Sequence, residues 1–279
     1  MLTLRWIGTI VAAKPAKVKR SHDAKMMNEK RREDMARRIA AAGRYRSFEG
    51  ATVLEIGADK EGFAAQMLVD AGAKHVISTN FGAKWPHEVD GPIERMRLDA
   101  RYMPATFPAA SVDIVFGVAV LEHIDRLDMF FEGARHVLND AGIMYAHGGP
   151  IWTSAKGHHV GLKGEAKHYR FGNPETNPIR DWSHLVLDKT TLAEDLMARD
   201  VPAGDAAAIA EQIYESDDRN RIGYRAMGEI FDACGLTLIE RLDNAFKGPP
   251  PEMLEEIERG PWGGQGRYEV SGITFVARR

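Results

Sequence analysis

Seven of the ten histidines fall between residues 123 and 184: His123, His136, His147, His158, His159, His168 and His184. Imidazole titrates nearest neutrality of all side chains, so a concentration of it suits proton transfer or metal ligation. Four of the seven sit in one segment, "KGHHVGLKGEAKHYRFGNPETNPIRDWSHL", with Tyr169, Arg170, Arg180, Asp181 and Trp182. Three chemistries fit them. They could serve a hydroxylated acceptor as hydrogen-bonding groups and base, with His147, His159, His184, His123 and Tyr169 as catalytic candidates. They could hold a divalent metal that orients a diol. Or they could be ordinary polar loop residues; His136, on an amphipathic helix, reads as a surface or packing residue, and His123 reads equally well as structural. No spacing matches a compact ligand motif, and neighbours such as His158 and His159 point to opposite faces of a strand, so no metal is expected. Arg170 and Arg180 open another route, in which they hold an acceptor carboxylate in bidentate geometry. The reacting atom would then be sulfur or nitrogen, and no base would be required. Trp152, His158 and Trp182 complete the candidate substrate contacts.

Such residues need a scaffold, and the chain from Ala51 supplies one. "ATVLEIG" reads as a first strand, closed by Gly57, where the missing side chain lets a ligand approach the backbone. "FAAQMLVDAG" reads as a helix with Phe63, Met67 and Leu68 inward and Gly72 at its end. "HVISTN" is a second strand, "ERMRLDA" a third ending at Asp99, and "SVDIVFGVAV" a fourth, apolar enough to be buried on both faces. The spacing of Leu127, Phe130, Phe131, Ala134, Val137 and Leu138 predicts an amphipathic helix, stopped by the turn "NDAG" before a fifth strand, "IMYAH". This order predicts a mostly parallel sheet with helices on both faces, and ligands in such sheets sit outside the carboxyl ends of the strands. Residues 148–221 break the rhythm with a long irregular stretch, a length that is usually functional. Within it one helix opens at Thr191 with Glu194 in capping-box spacing, and another spans Ala206 to Glu215. "IGYRAMGEIFDACG" resumes as a helix, followed by the strands "LTLIERL" and "YEVSGITFVARR", with the Pro- and Gly-rich loop "KGPPPEMLEEIERGPWGGQG" between them.

The ordered set "VLEIGADKEGF", "STN", "LDA", "SVDIVFGVAVLEHI" and "GIMYAHGGPIW" resembles the class I (Rossmann-like) S-adenosylmethionine-dependent methyltransferases. The glycine pattern does not fit a nicotinamide dinucleotide site, because "GADKEG" lacks the middle glycine. The resemblance implies a seven-stranded, mostly parallel sheet and S-adenosyl-L-methionine as cofactor, with S-adenosyl-L-homocysteine as product. It implies that Asp99 and the Ala100 amide take the adenine, and that Thr79 and Asn80 take the ribose. Gly57, Ala58, Gly62 and Phe63 would lie along the methionine portion, Glu55 would orient its ammonium, and Gly117, Val118 and Glu122 would line the sulfonium side. Two positions depart from the family: Asn80 stands where a carboxylate is usual, and Asp59-Lys60-Glu61 where further glycines are. The segment "GHH…HYRF…PIRDWSHL" is loosely similar to insertions in members encoded with surface-glycan enzymes. The expected reaction is therefore methyl transfer to a hydroxyl of a small molecule or glycan, with a histidine base. S- or N-methylation of an amino-acid-like molecule is the alternative, and a non-catalytic cofactor-binding scaffold is the alternative of another class.

Composition narrows the setting. At 279 residues and 44% apolar, the chain can bury a full domain core. A net charge of -3 gives no reason to expect nucleic acid as partner, and no Asn/Asp-Pro-Pro-aromatic motif follows strand four. The single cysteine, Cys234, suits a reducing compartment. Trp6 to Ala13 is short for a signal peptide and its basic cluster comes after it, so a cytoplasmic protein without a membrane span is expected. Residues 1–50 read as a basic helical arm, capped by Asp23 and carrying Met27, Met35 and Ile39 on one face, that flanks the core. Residues 51–279 form the methyltransferase domain, with 148–221 as a substrate-binding lid. A homodimer fits this organisation.

Overall fold

The protein is described here by a computed structural model covering residues 16–59, 61–82, 87–162, 164–166 and 168–279, without the side chains of 16–28 and 165. The apolar stretch from Trp6 to Ala13 and the side chains of Asp23 and Met27 lie outside this description. Helix α1 (Ala16–Gly43) already includes position 23, so Asp23 is inside the helix and does not cap it. After it come β1 (Thr52–Ile56), α2 (Phe63–Asp70), β2 (His75–Asn80), β3 (Glu88–Asp90), β4 (Ile93–Arg97), α3 (Met103–Thr106), β5 (Val112–Gly117), α4 (Leu127–Val137) and β6 (Leu138–Gly148). The segment "NDAG" runs on within β6 and does not form a separate turn. The insertion holds α5 (Ser183–Val186), α6 (Lys189–Met197) and α7 (Ala203–Glu215), and the chain closes with α8 (Tyr224–Ala233), β7 (Thr237–Ala245), α9 (Pro251–Arg259) and β8 (Val270–Arg278). Two local readings change. Asp188, three residues before Thr191, caps α6, its carboxylate accepting from the Thr191 N–H at 2.8 Å, so the helix opens earlier and Thr191 lies in its first turn. The Pro-rich loop before β8 contains α9, whose start is set by Pro251 at the first helical position.

The sheet order is β3-β4-β2-β1-β5-β6-β8-β7. The run from β4 to β6 is parallel, and β8 lies antiparallel between β6 and β7. The expected seven strands are joined by β3, a three-residue antiparallel edge on β4. Strand alternation sorts the apolar residues into two cores. Leu54, Ile56 and Val115 face one side with Phe130, Phe131, Phe231 and Phe275. Val53, Ile114 and Phe116 face the other, where α1 lays Ile39 and Ala42 and packs Met35 beside Phe48 and Leu68. Phe131 is the hub of the first core, its ring 5.3 Å from Phe231 and 5.7 Å from Phe275, both edge-on. A third core, with Trp152, Val160, Trp182, Leu192 and Ile209, belongs to the insertion and gathers Ile257 of α9 and Tyr268. Among the described residues no helix is long and apolar enough to cross a membrane.

Candidate active site

Because β1, β2, β4, β5 and β6 run parallel, their carboxyl ends share one edge. Ile56 pairs with Thr79 on one side and Gly117 on the other, Asn80 with Arg97, and Gly117 with Ala146. Gly57, Ala58, Asn80, Asp99, Val118 and His147 therefore stand along a single rim. The strand order reverses between β1 and β5, which opens a crevice at that point. Gly57 and Asp99 are two strands apart on it, ~10 Å at the usual strand spacing.

The crevice floor is made of backbone. Gly57 has φ 77°, and a Cβ there would run into the Val120 side chain. A Cβ on Gly117 would come within 2.8 Å of Val120 Cγ2. Only glycine lets both strand ends lie under Val120. The Ala58 N–H donates to Thr79 O at 2.8 Å and Thr79 Oγ1 donates to Glu55 O at 2.6 Å, which locks the first turn to β2. Asp59, one of the residues that departs from the family, accepts from the first N–H groups of α2, Phe63 at 3.3 Å and Ala64 at 3.2 Å. It is a helix cap, and Gly62, at the start of α2, has φ 68° and would press any Cβ against the Arg95 guanidinium. Phe63 lies under the Arg32 guanidinium, 5.0 Å from its ring centre.

The polar residues of the rim are partly committed. Asn80 Nδ2 donates to Ala58 O and Oδ1 accepts from Gly82 N, each at 2.7 Å. One N–H and one lone pair of the amide stay open for a diol. Asp99 takes the Arg101 guanidinium at 2.6 to 3.1 Å and the Arg101 N–H at 3.1 Å, starting the short turn that contains Ala100. Its hydrogen bonds from Arg101 hold the carboxyl below the usual carboxylate range. Arg101 bridges onward to Asp125 at 3.0 Å.

Two carboxylates are buried and incompletely satisfied. Glu55 is 4% exposed, and its Oε2 has no hydrogen-bond partner. Burial pushes its carboxyl up to about 7, against a lowering hydrogen bond from Ser78. Glu122 is 3% exposed, its Oε2 likewise unpartnered, and burial pushes it up to about 8 although the Glu122 and Gly149 amides donate to it. Arg38 of α1 acts on both Glu122 and His147. The arm thus brings a cation to the end of the rim where Glu122 and His147 stand.

Partner chemistry fixes the neutral tautomer of each histidine, since an amide can only donate and a carbonyl only accept. His147 Nδ1 accepts from Ala119 N at 3.3 Å, so its proton sits on Nε2. His158 Nδ1 accepts from Val160 N at 3.1 Å, with the same result. Burial moves His147 down to about 3 and holds His158 well below its ordinary value. In these tautomers neither ring has a free lone pair. His184 Nε2 donates to Trp152 O at 2.8 Å, and its free Nδ1 is buried beside Trp152 and His158. It lines a cavity of about 520 Å³ with Trp152, Tyr214, Arg221 and Trp262, whose lining includes none of Glu122, His123 and His159. In their hydrogen bonding His123 and His159 are the reverse case, although burial moves His159 down to about 3 as it does His147. Their Nδ1–H groups donate to Asp218 O at 2.5 Å and Gly157 O at 3.0 Å, leaving Nε2 open. The two rings are 5.7 Å apart, and one ligand atom each from Glu122, His123 and His159 lies within 4.8 Å of the others.

Other candidates are spread through the insertion. Tyr169 packs against the third core and shares a hydrogen bond with Asp205. Trp182 is buried and donates from Nε1 to Tyr268 O at 3.1 Å, a packing role. Arg180 is paired with Asp195 at 3.1 Å, and Arg170 bridges to Gly161 on the surface. Residue-type reasoning missed Arg38, Arg101 and Val120. Arg101 had a signal, two residues past Asp99. Val120 and Arg38 act only through the fold.

The rim has the features a cofactor bearing an ammonium and an adenosine requires: an orphaned buried carboxylate oxygen on Glu55, a side-chain-free floor at Gly57 and Gly117, and a carboxylate at Asp99. The family model described as "Methyltransferase domain" matches residues 54–146. No curated protein matches the chain in sequence. Among solved structures the fold is similar to a geranyl diphosphate methyltransferase in complex with S-adenosylmethionine, at 13% identity and a TM-score of 0.53, covering 92% of this chain and 89% of that one. It is also similar to the complex of the Haloferax volcanii Trm112 methyltransferase activator with its proposed methyltransferase, at 16% identity and 0.51, covering 92% and 94%. A proposed S-adenosylmethionine-dependent methyltransferase from Listeria monocytogenes aligns at 13% identity and 0.50, covering 87% and 97%. The methyltransferase-domain match over residues 54–146, which holds the five parallel strands, together with a sheet of this order and this rim, gives the chain the fold and the S-adenosylmethionine rim of a class I methyltransferase.

Proposed function

We propose that the chain methylates a hydroxyl of a small-molecule or glycan acceptor. When bound, S-adenosylmethionine supplies an electrophilic methyl group on a sulfonium. In this reading Glu55 meets its ammonium, Gly57, Ala58, Gly62 and Phe63 lie along its methionine portion, and Thr79 and Asn80 meet the ribose. Asp99 and Ala100 meet the adenine, while Gly117 and Val118 flank the methyl. What remains for the protein is alignment, exclusion of water and removal of one proton. The acceptor oxygen gives up its proton, forms the bond to carbon as the sulfur–carbon bond breaks, and S-adenosylhomocysteine leaves.

The observation that carries the reading is the cluster of Glu122, His123 and His159 past the end of β5. It presents two open ring nitrogens, both acceptors, beside the buried Glu122 carboxyl. A hydroxyl brings a proton for such a nitrogen to take, whereas a thioether brings none. Arg180, offered for an amino-acid-like acceptor, is already ion-paired, so no observation favours that alternative. The insertion, residues 148–221, and the α1 arm would close over the acceptor, with Trp152 and His158 on its path. A cytoplasmic setting and a homodimer complete the proposal, the former in keeping with a lone buried thiol, Cys234.

The test is His159→Asn, assayed against a panel of hydroxylated acceptors. Turnover should fall by about 10²–10⁴, the range for a lost proton-transfer group, while affinity for S-adenosylmethionine holds. Unchanged turnover would remove the cluster from the reaction.

A further inference from the structure

We propose that Glu122, His123 and His159 form a divalent-cation site that holds the acceptor hydroxyl. The inference rests on the hydroxyl-acceptor reading and deepens it. His123 Nε2 is 3.9 Å from Glu122 Oε1, and all three residues offer ligand atoms within 4.8 Å of one another. Both rings are held from behind, by Asp218 O and Gly157 O. An outer hydrogen bond of this kind fixes the tautomer of a metal-bound imidazole and turns Nε2 toward the ion. Glu122 is buried; its Oε1 is the oxygen that approaches His123, and its Oε2 has no hydrogen-bond partner, so the carboxyl is not fully committed within the protein.

Two imidazoles with one carboxylate suit a borderline ion such as Zn²⁺ or Mn²⁺ better than Ca²⁺. Ligand bonds of about 2.0–2.2 Å require the three atoms to draw in by ~1 Å. His123 can do this, with its side chain 47% exposed on a single turn of 3-10 helix. Three protein ligands leave positions open, the mark of a site that takes a reactant. A hydroxyl bound there loses its proton more readily, as does water on such an ion. With the ion present the Nε2 lone pairs are its ligands, and the hydroxyl proton passes to water on the exposed His123 side. The cofactor methyl then goes to the oxygen as described above.

The experiment titrates EDTA-treated full-length protein with MnCl2, followed by electron paramagnetic resonance, and with ZnCl2, followed by calorimetry, in the absence of cofactor and acceptor. One ion per chain should bind, and His123→Gln and His159→Asn should each weaken it by more than about 100-fold, beyond the effect of an outer-shell group. Asparagine is chosen at 159 because that residue sits at φ 48°, which asparagine tolerates. Circular dichroism checks folding, and if His159→Asn unfolds, surface-exposed His123→Gln decides alone. Stoichiometric binding lost in the folded variants supports the site. No binding of either ion, or binding that survives the substitutions, overturns it. Since no acceptor is present, that failure leaves the hydroxyl reading to its own turnover test.

Discussion

Glu55→Gln separates what the buried carboxylate costs the empty protein from what it does for the cofactor. Burial moves this carboxyl from an ordinary 4.5 to about 7. Between those values the folded protein keeps a proton that the unfolded chain has released. Its contribution to stability is therefore full below pH 4.5, falls as the pH rises toward 7, and is flat above. At 1.36 kcal/mol per pH unit the charged form costs ~3 kcal/mol. Glutamine does not titrate, so the cofactor-free variant should be more stable than the parent by up to ~3 kcal/mol at pH 8 and about equal at pH 4.5. Urea unfolding across pH 4.5 to 8 reads this directly. Cofactor affinity should move the other way. Loss of a charged hydrogen bond to the ammonium is worth ~1.5–3 kcal/mol, or about 10- to 150-fold in Kd by calorimetry at pH 8. In the parent, cofactor binding at pH 6 should also release a proton to the buffer, and the variant should release less. A variant that is less stable at pH 8 yet binds the cofactor normally would show that Glu55 is a structural turn residue.

Two further outcomes follow from the packing. Gly57→Ala places a side chain at φ 77° against Val120, so it should cost ~1–2 kcal/mol from backbone conformation alone and weaken cofactor binding; adding Val120→Ala should recover the steric part only, as thermal melts with and without cofactor would show. Phe131→Ala empties the hub of the first core and should cost ~3–5 kcal/mol in urea unfolding, with cofactor affinity of the folded fraction unchanged.

Much of the scaffold was legible because its signals are local. The apolar runs of β1 and β5, the inward set of α4 and the glycine that ends β1 each state their structure within a few residues. The caps were less legible, because Asp188 and Thr191 both offer capping oxygens and only geometry chooses between them. Helix α9 was hidden by prolines that start it instead of breaking it.

The site divides along the same line. Sequence by itself determined that Glu55, Gly57, Asn80, Asp99 and His147 end successive strands, since a parallel sheet brings all such ends to one rim. It could not determine which groups were still free there. That depends on neighbours the fold brings in: Asp125 behind the Arg101–Asp99 pair, Val120 over Gly57, Arg38 arriving from α1. The histidines show it most plainly. Seven residues of one type are equivalent in sequence, yet a backbone amide against one nitrogen or a carbonyl against the other decides whether a ring offers a proton or a lone pair. Only the folded chain, by laying Asp218 behind His123 and Gly157 behind His159, turned two of them toward Glu122.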